Sequence, residues 1–178
     1  MNLITKILND LRVELADEFD RNFERKAFFG KAWPERRRRG KGTLMNVTGT
    51  LRRSIRARVS GTSLVFSSSE PHAAIHNDGG TITVTAKMRR YFWAKYYETG
   101  GKIRYKKSGG ISKASIRLSQ EAEMWRALAL KKVGSKIEIP QRQFLGDAPE
   151  VRKIINDVAA DRVKTTIETA FRNQLKRD

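Results

Sequence analysis

The sequence contains no cysteine and only two histidines among its 178 residues. The lack of cysteine excludes disulfide bonds, thiolate zinc sites and cysteine nucleophiles, and it suits a reducing compartment. No stretch approaches the run of about 20 apolar residues that a membrane span needs, so we expect no membrane partner. The apolar residues near the N-terminus are interrupted by Asp and Glu, unlike a secretory signal peptide. We therefore expect a protein that is made and kept inside a cell, or assembled there into something larger.

The sequence also lacks the motifs of the common enzyme classes. Gly134-Ser135-Lys136 has no upstream glycine of a phosphate-binding loop, and no serine lies in a G-x-S-x-G turn. His72 and His76 are four residues apart, a spacing that binds zinc on some helices, but no glutamate follows the first histidine. We expect no enzyme, no cofactor and no metal. A metal enzyme at His72 and His76 is kept as an alternative.

Positive charge is what the chain has in excess, with 37 Lys and Arg against 19 Asp and Glu and a net charge of +18. Residues 25–58 carry a net +11, residues 87–113 carry a net +8, and the rest of the chain sums to −1. Charge of one sign concentrated in this way attracts nucleic acid, acidic protein surfaces or membranes. The plainer interpretation is a solubilising face, although a net charge of about 2–8 suffices for that in a small domain.

Eleven basic residues of these two segments are the candidate contacts to DNA or to an acidic partner. They are Arg36, Arg37, Arg38, Arg39, Lys41, Arg52, Arg53, Lys102, Arg104, Lys106 and Lys107. Residues 30–46, with a proline, three glycines and no regular period, predict an extended, mobile basic arm. Contacts to phosphates there would give salt-dependent, non-specific DNA binding, and docking on an acidic neighbouring subunit explains the same charge.

Residues 86–98 combine five aromatic side chains with basic ones. Aromatic rings beside cations can stack on single-stranded bases, which is one interpretation of this segment. Packing of Phe92, Trp93 and Tyr96 on the core at helical spacing is the interpretation that we favour, because an amphipathic helix needs an apolar face.

Hydrophobic periodicity predicts an α+β fold, in which a small antiparallel β-sheet is flanked by long N- and C-terminal helices. The predicted helices cover residues 3–26, 86–98, 119–133 (with Ser119 as the N-cap) and 149–176, and the predicted strands cover residues 63–68, 81–85 and 136–139. The weakly alternating segment 100–118 predicts a projecting hairpin. We expect all of residues 1–178 to form a single domain.

Three segments of the sequence carry recognisable motifs. Residues 47–55 (VTGTLRRSI) resemble a TG-x-L-R-x-S-I signature, and residues 139–146 (IPQRQFLG) resemble I-P-x-R-x-F-L-G. Residues 72–82 (HAAIHNDGGTI) resemble Y-A-x-I-H-x-x-G-G-x-I, with His72 where an aromatic residue is usual. In this order the three segments resemble the phage virion morphogenesis family, the Mu-like tail-completion or head–tail joining proteins. The resemblance covers residues 30 to 150 and makes 100–118 an insertion.

The resemblance implies a structural virion protein of a tailed phage or prophage, located at the neck or tail end and assembled in the bacterial host cytoplasm. It implies a homo-oligomeric ring, with other phage neck, connector or tail proteins as partners and DNA passing through the lumen as a further one. The motif residues are interpreted as fold-defining: Thr48, Gly49, Leu51, His76, Gly79, Gly80, Pro140, Arg142, Phe144 and Gly146. The alternative function is a non-specific nucleic-acid-binding protein of the cell.

Overall fold

Long helices begin and end the chain in a computed structural model that describes residues 2–35, 44–106 and 110–175. The helices are α1 (Leu3–Arg25), α2 (Thr50–Ser54), α3 (Ala73–Asp78), α4 (Ala86–Gly100), α5 (Lys113–Ala129) and α6 (Pro149–Gln174). The strands are β1 (Ala27–Phe28), β2 (Lys31–Ala32), β3 (Ile55–Ser60), β4 (Ser63–Ser68), β5 (Gly80–Thr83), β6 (Tyr105–Lys106), β7 (Gly110–Ile111) and β8 (Lys136–Ile139). The predicted α+β class is confirmed, with the antiparallel sheet present as the two-stranded pairs β1–β2, β3–β4, β5–β8 and β6–β7.

The chain divides into two compact units. The first unit comprises Met1–Gly79 and Pro140–Asp178, and the second comprises Gly80–Ile139. The second unit is therefore inserted in sequence between α3 and the segment that leads to α6. The single-domain organisation over residues 1–178 stays a prediction.

The first unit is built on α1. Asn2 begins this helix, since its side chain accepts a hydrogen bond from the Ile4 backbone N–H, and Lys26 ends it in the left-handed conformation. One stripe of α1 is buried, at spacings of three and four residues: Leu8, Leu11, Leu15, Phe19 and Phe23. This stripe packs against β3–β4 and α6, so the predicted amphipathic helix provides the core.

An aromatic cluster joins distant parts of the first unit. The Phe23 ring lies 5.6 Å from the Trp33 ring and 5.2 Å from the Phe144 ring, measured between centroids. Leu51 and Ala73 complete the buried cluster. The cluster thus brings together α1, the start of the predicted arm and all three sequence motifs.

In the second unit α4 packs against α5. The rings of Phe92 and Trp125 stack with their centroids 6.0 Å apart, and Ala129 is fully buried. Strands β5 and β8 pair antiparallel, with Gly80 opposite Ile139, and Val84 directly after β5 is fully buried.

The predicted mobile arm over residues 30–46 is wrong at both of its ends. Lys31 and Ala32 form β2, and the buried Trp33 indole donates a hydrogen bond to the Gln143 carbonyl at 2.5 Å. Leu44 and Met45 pack against the aromatic cluster. The apolar surface of these side chains outweighs the arm-like composition around them. The remaining residues, 36–43, lie outside the described residues.

The predicted hairpin over 100–118 is present but shorter, because Tyr105–Lys106 pair with Gly110–Ile111. Residues 107–109 at its tip lie outside the described residues. The prediction that α5 begins at Ser119 is wrong. Ser112 is the N-cap, and its side chain accepts a hydrogen bond from the Ser115 backbone N–H, so the helix begins at Lys113.

Candidate interaction surface

The TG motif turns the chain into α2 and then into β3. Gly49 has a φ of 72°, a left-handed conformation that suits glycine, and it precedes the first residue of α2. The hydroxyls of Thr48 and Thr50 lie 2.7 Å apart across this turn. Leu51 points into the core, so the arginines that follow it are placed at the surface of the first unit.

Arg52 of this motif is neutralised by carboxylates of α1. Its guanidinium is paired with Asp20 and with Glu24, the latter at 2.8 Å. Hydrogen bonds to Asp20 and Glu24 raise the pKa of Arg52 above its ordinary value. These pairs fasten α2 to α1, and a further role of Arg52 in binding a partner stays a prediction.

Three other arginines form what we call the arginine face: Arg53, Arg56 and Arg58. All three are exposed. Arg56 and Arg58 are two residues apart on β3, so they share one side of the hairpin with their backbones about 7 Å apart. Their cross-strand partners, Ser67 and Val65, are uncharged.

The charge of the arginine face is not balanced within the described part of the chain, where none of its side chains contacts a carboxylate. Arg53 instead donates to the Thr48 carbonyl at 2.9 Å, and Arg56 donates to the Arg53 carbonyl at 2.8 Å. The face can therefore attract an anionic partner. Arg56 and Arg58 were missed as candidates from the sequence, although their alternation with Ile55, Ala57 and Val59 is a strand signal.

Arg142 holds the two residues that precede the arginine run 36–39. Arg142 is buried, and its guanidinium donates to the carbonyls of Pro34 at 3.0 Å and of Glu35 at 3.3 Å. Arg36, Arg37, Arg38, Arg39 and Lys41 themselves lie outside the described residues, so binding there stays a prediction. The IP-x-R motif thus holds the residues from which the basic run begins.

Four of the sequence-predicted candidates lie in the second unit. Lys102 and Lys95 contact Glu98 at 2.8 and 2.7 Å, and these hydrogen bonds lower the pKa of Glu98 to about 2. Arg104 is exposed, and its backbone N–H donates to the Ser115 hydroxyl. The side chains of Lys106 and Lys107 lie outside the described part, and binding by all four candidates stays a prediction.

The aromatic segment of α4 combines core and surface positions. Phe92 is buried, Trp93 and Tyr96 are half-buried, and Tyr91 and Tyr97 are exposed. Trp93 stacks on Tyr97 with the ring centroids 5.9 Å apart. The Phe92 side chain is therefore used in packing, whereas the Tyr97 ring is exposed on the surface of the second unit.

The motif at residues 72–82 provides a hydrogen-bond acceptor for the motif at residues 139–146. The side-chain oxygen of Asn77 accepts hydrogen bonds from the backbone N–H groups of Phe144 and Leu145, both at 3.0 Å. The His76 carbonyl accepts from the Arg142 N–H at 2.7 Å. The HNDGG and IPQRQFLG segments are therefore joined by side-chain and backbone hydrogen bonds.

Asn77→Ala is expected to lower the free energy of unfolding by about 2 kcal/mol, since it leaves two partly buried backbone donors without their acceptor. Urea denaturation monitored by circular dichroism measures this loss. Asn77→Asp keeps an oxygen acceptor at the same place and should lose less than half as much. An equal loss in both variants would contradict the acceptor role.

The two histidines do not form a metal centre with a third ligand in the structure as described. Their rings lie 5.7 Å apart, and Glu70 is 3.4 Å from His72. Among the described residues, no group of three His, Cys, Asp or Glu side chains could hold a metal ion. The metal-enzyme alternative gains no support from this arrangement.

Stability is expected to fall as the pH drops from about 7 to 5, in part through His76. Burial, followed by the charges of His72 and Arg142, lowers the pKa of His76 below its usual 6.5. The unfolded chain then binds the proton more readily than the folded one, so this contribution is complete above pH 6.5 and is lost below it. In thermal melts, the melting temperature of His76→Gln should depend less steeply on pH than that of the parent. Identical slopes for the two proteins would contradict the role of His76.

No helix in the described part of the chain has both the length and the apolar character needed to cross a membrane.

The comparison of the sequence with models of protein families agrees with the three motifs. The model of the phage virion morphogenesis family matches residues 1–164. The chain therefore belongs to the phage virion morphogenesis family, which confirms the resemblance of the three motifs and gives the protein a role in the structure or assembly of a phage virion. No curated protein and no solved structure matches the chain.

Proposed function

We propose that this protein is a tail-completion or head–tail connector component that forms a ring at the neck of a tailed phage virion. The observation that carries the proposal is an unbalanced arginine face on a member of a virion morphogenesis family. In a ring this face is repeated once per copy. The repeated charge makes a positive belt that attracts a negatively charged partner.

Two kinds of partner fit this belt. DNA that passes through the lumen would contact it through phosphates, with an affinity that falls steeply with salt. Acidic surfaces of other neck, connector or tail proteins would contact it through complementary charge, which mainly sets the rate and specificity of assembly. In both cases the protein acts through binding, and the proposed mechanism contains no chemical step.

Deletion of the gene from the phage that encodes it tests the proposal directly. Particles from the deletion should accumulate as heads and tails that are not joined, or as unfinished tail ends, when viewed by electron microscopy. The full chain supplied in trans should restore complete particles and appear as a ring at the neck. Complete, infective particles without the protein would overturn the proposal.

The arginine face also favours a second candidate function, non-specific binding of nucleic acid by the free protein. A titration of duplex DNA at increasing salt should then show tight binding by the monomer, with a steep slope. Arg56→Gln/Arg58→Gln should reduce the slope by about 2, since each phosphate contact contributes about 0.9. Arg117→Gln/Arg126→Gln on α5 is the matched control. Weak DNA binding by a purified ring would exclude this candidate.

A further inference from the structure

An open groove of about 870 Å³ lies between α1, β4, α3 and α6 in the first unit. Leu15, Phe19, Phe144 and Val151 form its buried floor. Leu8, Leu11, Leu64, Phe66 and Ile155 add further apolar lining. A groove of this size with an apolar lining can accept the apolar face of a helix.

The charged residues that line the groove are all negative. Glu70, Asp78 and Asp147 line it, and no Lys or Arg does, although the chain has a net charge of +18. Asp147 is paired with Arg152, and Glu70 lies 3.4 Å from His72. Glu70 and Asp78 have no Lys or Arg partner among the described residues, so the groove favours an occupant that carries positive charge.

The C-terminal half of α6 is a helix surface of this chain that fits such a groove. Beyond its contact with α1, α6 exposes an apolar stripe that we call the α6 ridge: Val163, Ile167, Phe171 and Leu175, which are 39, 58, 67 and 71% exposed. Lys164 precedes Ile167 by three residues and so lies on the same side of the helix, where it is the charged residue nearest to the middle of the ridge. Glu168 and Arg172 lie farther around the helix from the ridge. Exposed apolar stripes of this length mark interaction surfaces.

The ridge cannot enter the groove of its own molecule. Val151 and Ile155 of α6 line that groove, and the last ion pair between α6 and α1 is Arg162 with Asp10. Phe171 lies 16 residues beyond Ile155 on the same helix, which corresponds to about 24 Å. A rigid helix cannot bend back over that distance, so the ridge needs a groove on another molecule.

We propose that the α6 ridge of one copy docks in the groove of a second copy of this chain. Apolar side chains of the ridge cover the groove floor, and Lys164 approaches Glu70 and Asp78. Because the groove and the ridge are different surfaces, the contact joins copies head to tail, and a head-to-tail contact closes into a ring when its rotation allows. This inference rests on the proposed function in one respect: it supplies the contact that holds the proposed ring together.

Cysteine cross-linking tests the contact, helped by the absence of native cysteine. Ala74→Cys places a thiol at an exposed position in the groove, and Gln174→Cys places one beside the ridge. Mixing the two variants under mild oxidation should give a disulfide-linked dimer. Thr169→Cys, on the opposite side of α6, is the matched control and should cross-link to Ala74→Cys at least tenfold less. Equal yields for the two helix positions would overturn the proposal.

Self-association of the full chain gives a second measurement. Ile167→Asp/Phe171→Asp should weaken association at least tenfold in sedimentation velocity, whereas Thr165→Asp/Thr169→Asp adds the same charge to the other side and should leave it unchanged. Both pairs are exposed, so the melting temperature serves as a check that each variant folds.

The outcomes separate this inference from the proposed function. Rings that form equally well from the ridge variant would overturn the docking contact and leave the neck function standing. Cross-linked copies from a protein that is absent from the virion neck would support the contact and overturn the function. A parent protein that stays monomeric at all concentrations, as expected if a different virion protein fills the groove, would overturn the docking contact.

Discussion

Phe144→Ala is expected to lower the free energy of unfolding by about 3–5 kcal/mol, the usual cost of removing a buried phenylalanine ring. Phe144 is fully buried, and its ring packs 5.2 Å from that of Phe23. Removing it would open a cavity between α1 and the segment that leads to α6. Chemical denaturation followed by circular dichroism measures the loss.

Phe171→Ala is the matched control for this prediction. The same side chain is removed, but Phe171 is 67% exposed at the end of α6, so the change in unfolding free energy should stay within about 0.5 kcal/mol. The two variants should also differ in function. Phe144→Ala should reduce the amount of folded protein, whereas Phe171→Ala should leave the fold intact and, if the proposed docking contact forms, weaken self-association. Similar losses of stability in both would contradict the placement of Phe144 in the core.

Gly79→Ala is the second variant with a large expected effect, about 3 kcal/mol of unfolding free energy. Gly79 has φ 73° and ψ −175°, a region that is essentially restricted to glycine and costs other residues about 1–3 kcal/mol. A Cβ there would also lie 2.9 Å from the backbone nitrogen of Gln141. Backbone atoms cannot move aside as a flexible side chain can, so the clash adds to the conformational cost.

Gly61→Ala separates these two contributions. Gly61 also has a positive φ, 62°, but a Cβ would meet nothing within 4 Å. We expect about 1 kcal/mol from the conformation alone. Thermal or urea denaturation of the two variants under one set of conditions measures the difference. An equal loss for both would show that the approach of Gln141 to Gly79 has no energetic weight.

These predictions bear on why the GG and IP-x-R-x-F-L-G motifs accompany each other. Gly79 lets the chain pass close to Gln141, Asn77 holds the backbone of Phe144, and Arg142 holds the carbonyls of Pro34 and Glu35. The motifs therefore meet in the first unit and position the start of the arginine run. Their classification as fold-defining residues, apart from any contact to a partner, stays a prediction that such variants can test.

Local patterns in the sequence determined the family, the α+β class and most of the helices. The stripe of Leu8, Leu11, Leu15, Phe19 and Phe23 follows a helical period, and burial of such a stripe stabilises a helix. The motifs sufficed for recognition because they contain glycine, proline and arginine at fixed spacings. Concentration of the positive charge in two segments was likewise visible from the sequence alone.

Only the tertiary structure decided which charges are balanced and which apolar residues are covered. Arg52 and Arg56 look equivalent in sequence, but α1 brings Asp20 and Glu24 to the first and no carboxylate of the described residues to the second. Trp33 belongs to the predicted arm by sequence, but in the structure it packs against Phe23 and donates a hydrogen bond to the Gln143 carbonyl. Likewise, the stripe of α6 is continuous in sequence, yet α1 covers only its first half. Each of these outcomes depends on contacts between residues far apart in the chain, and local periodicity carries no information about such contacts.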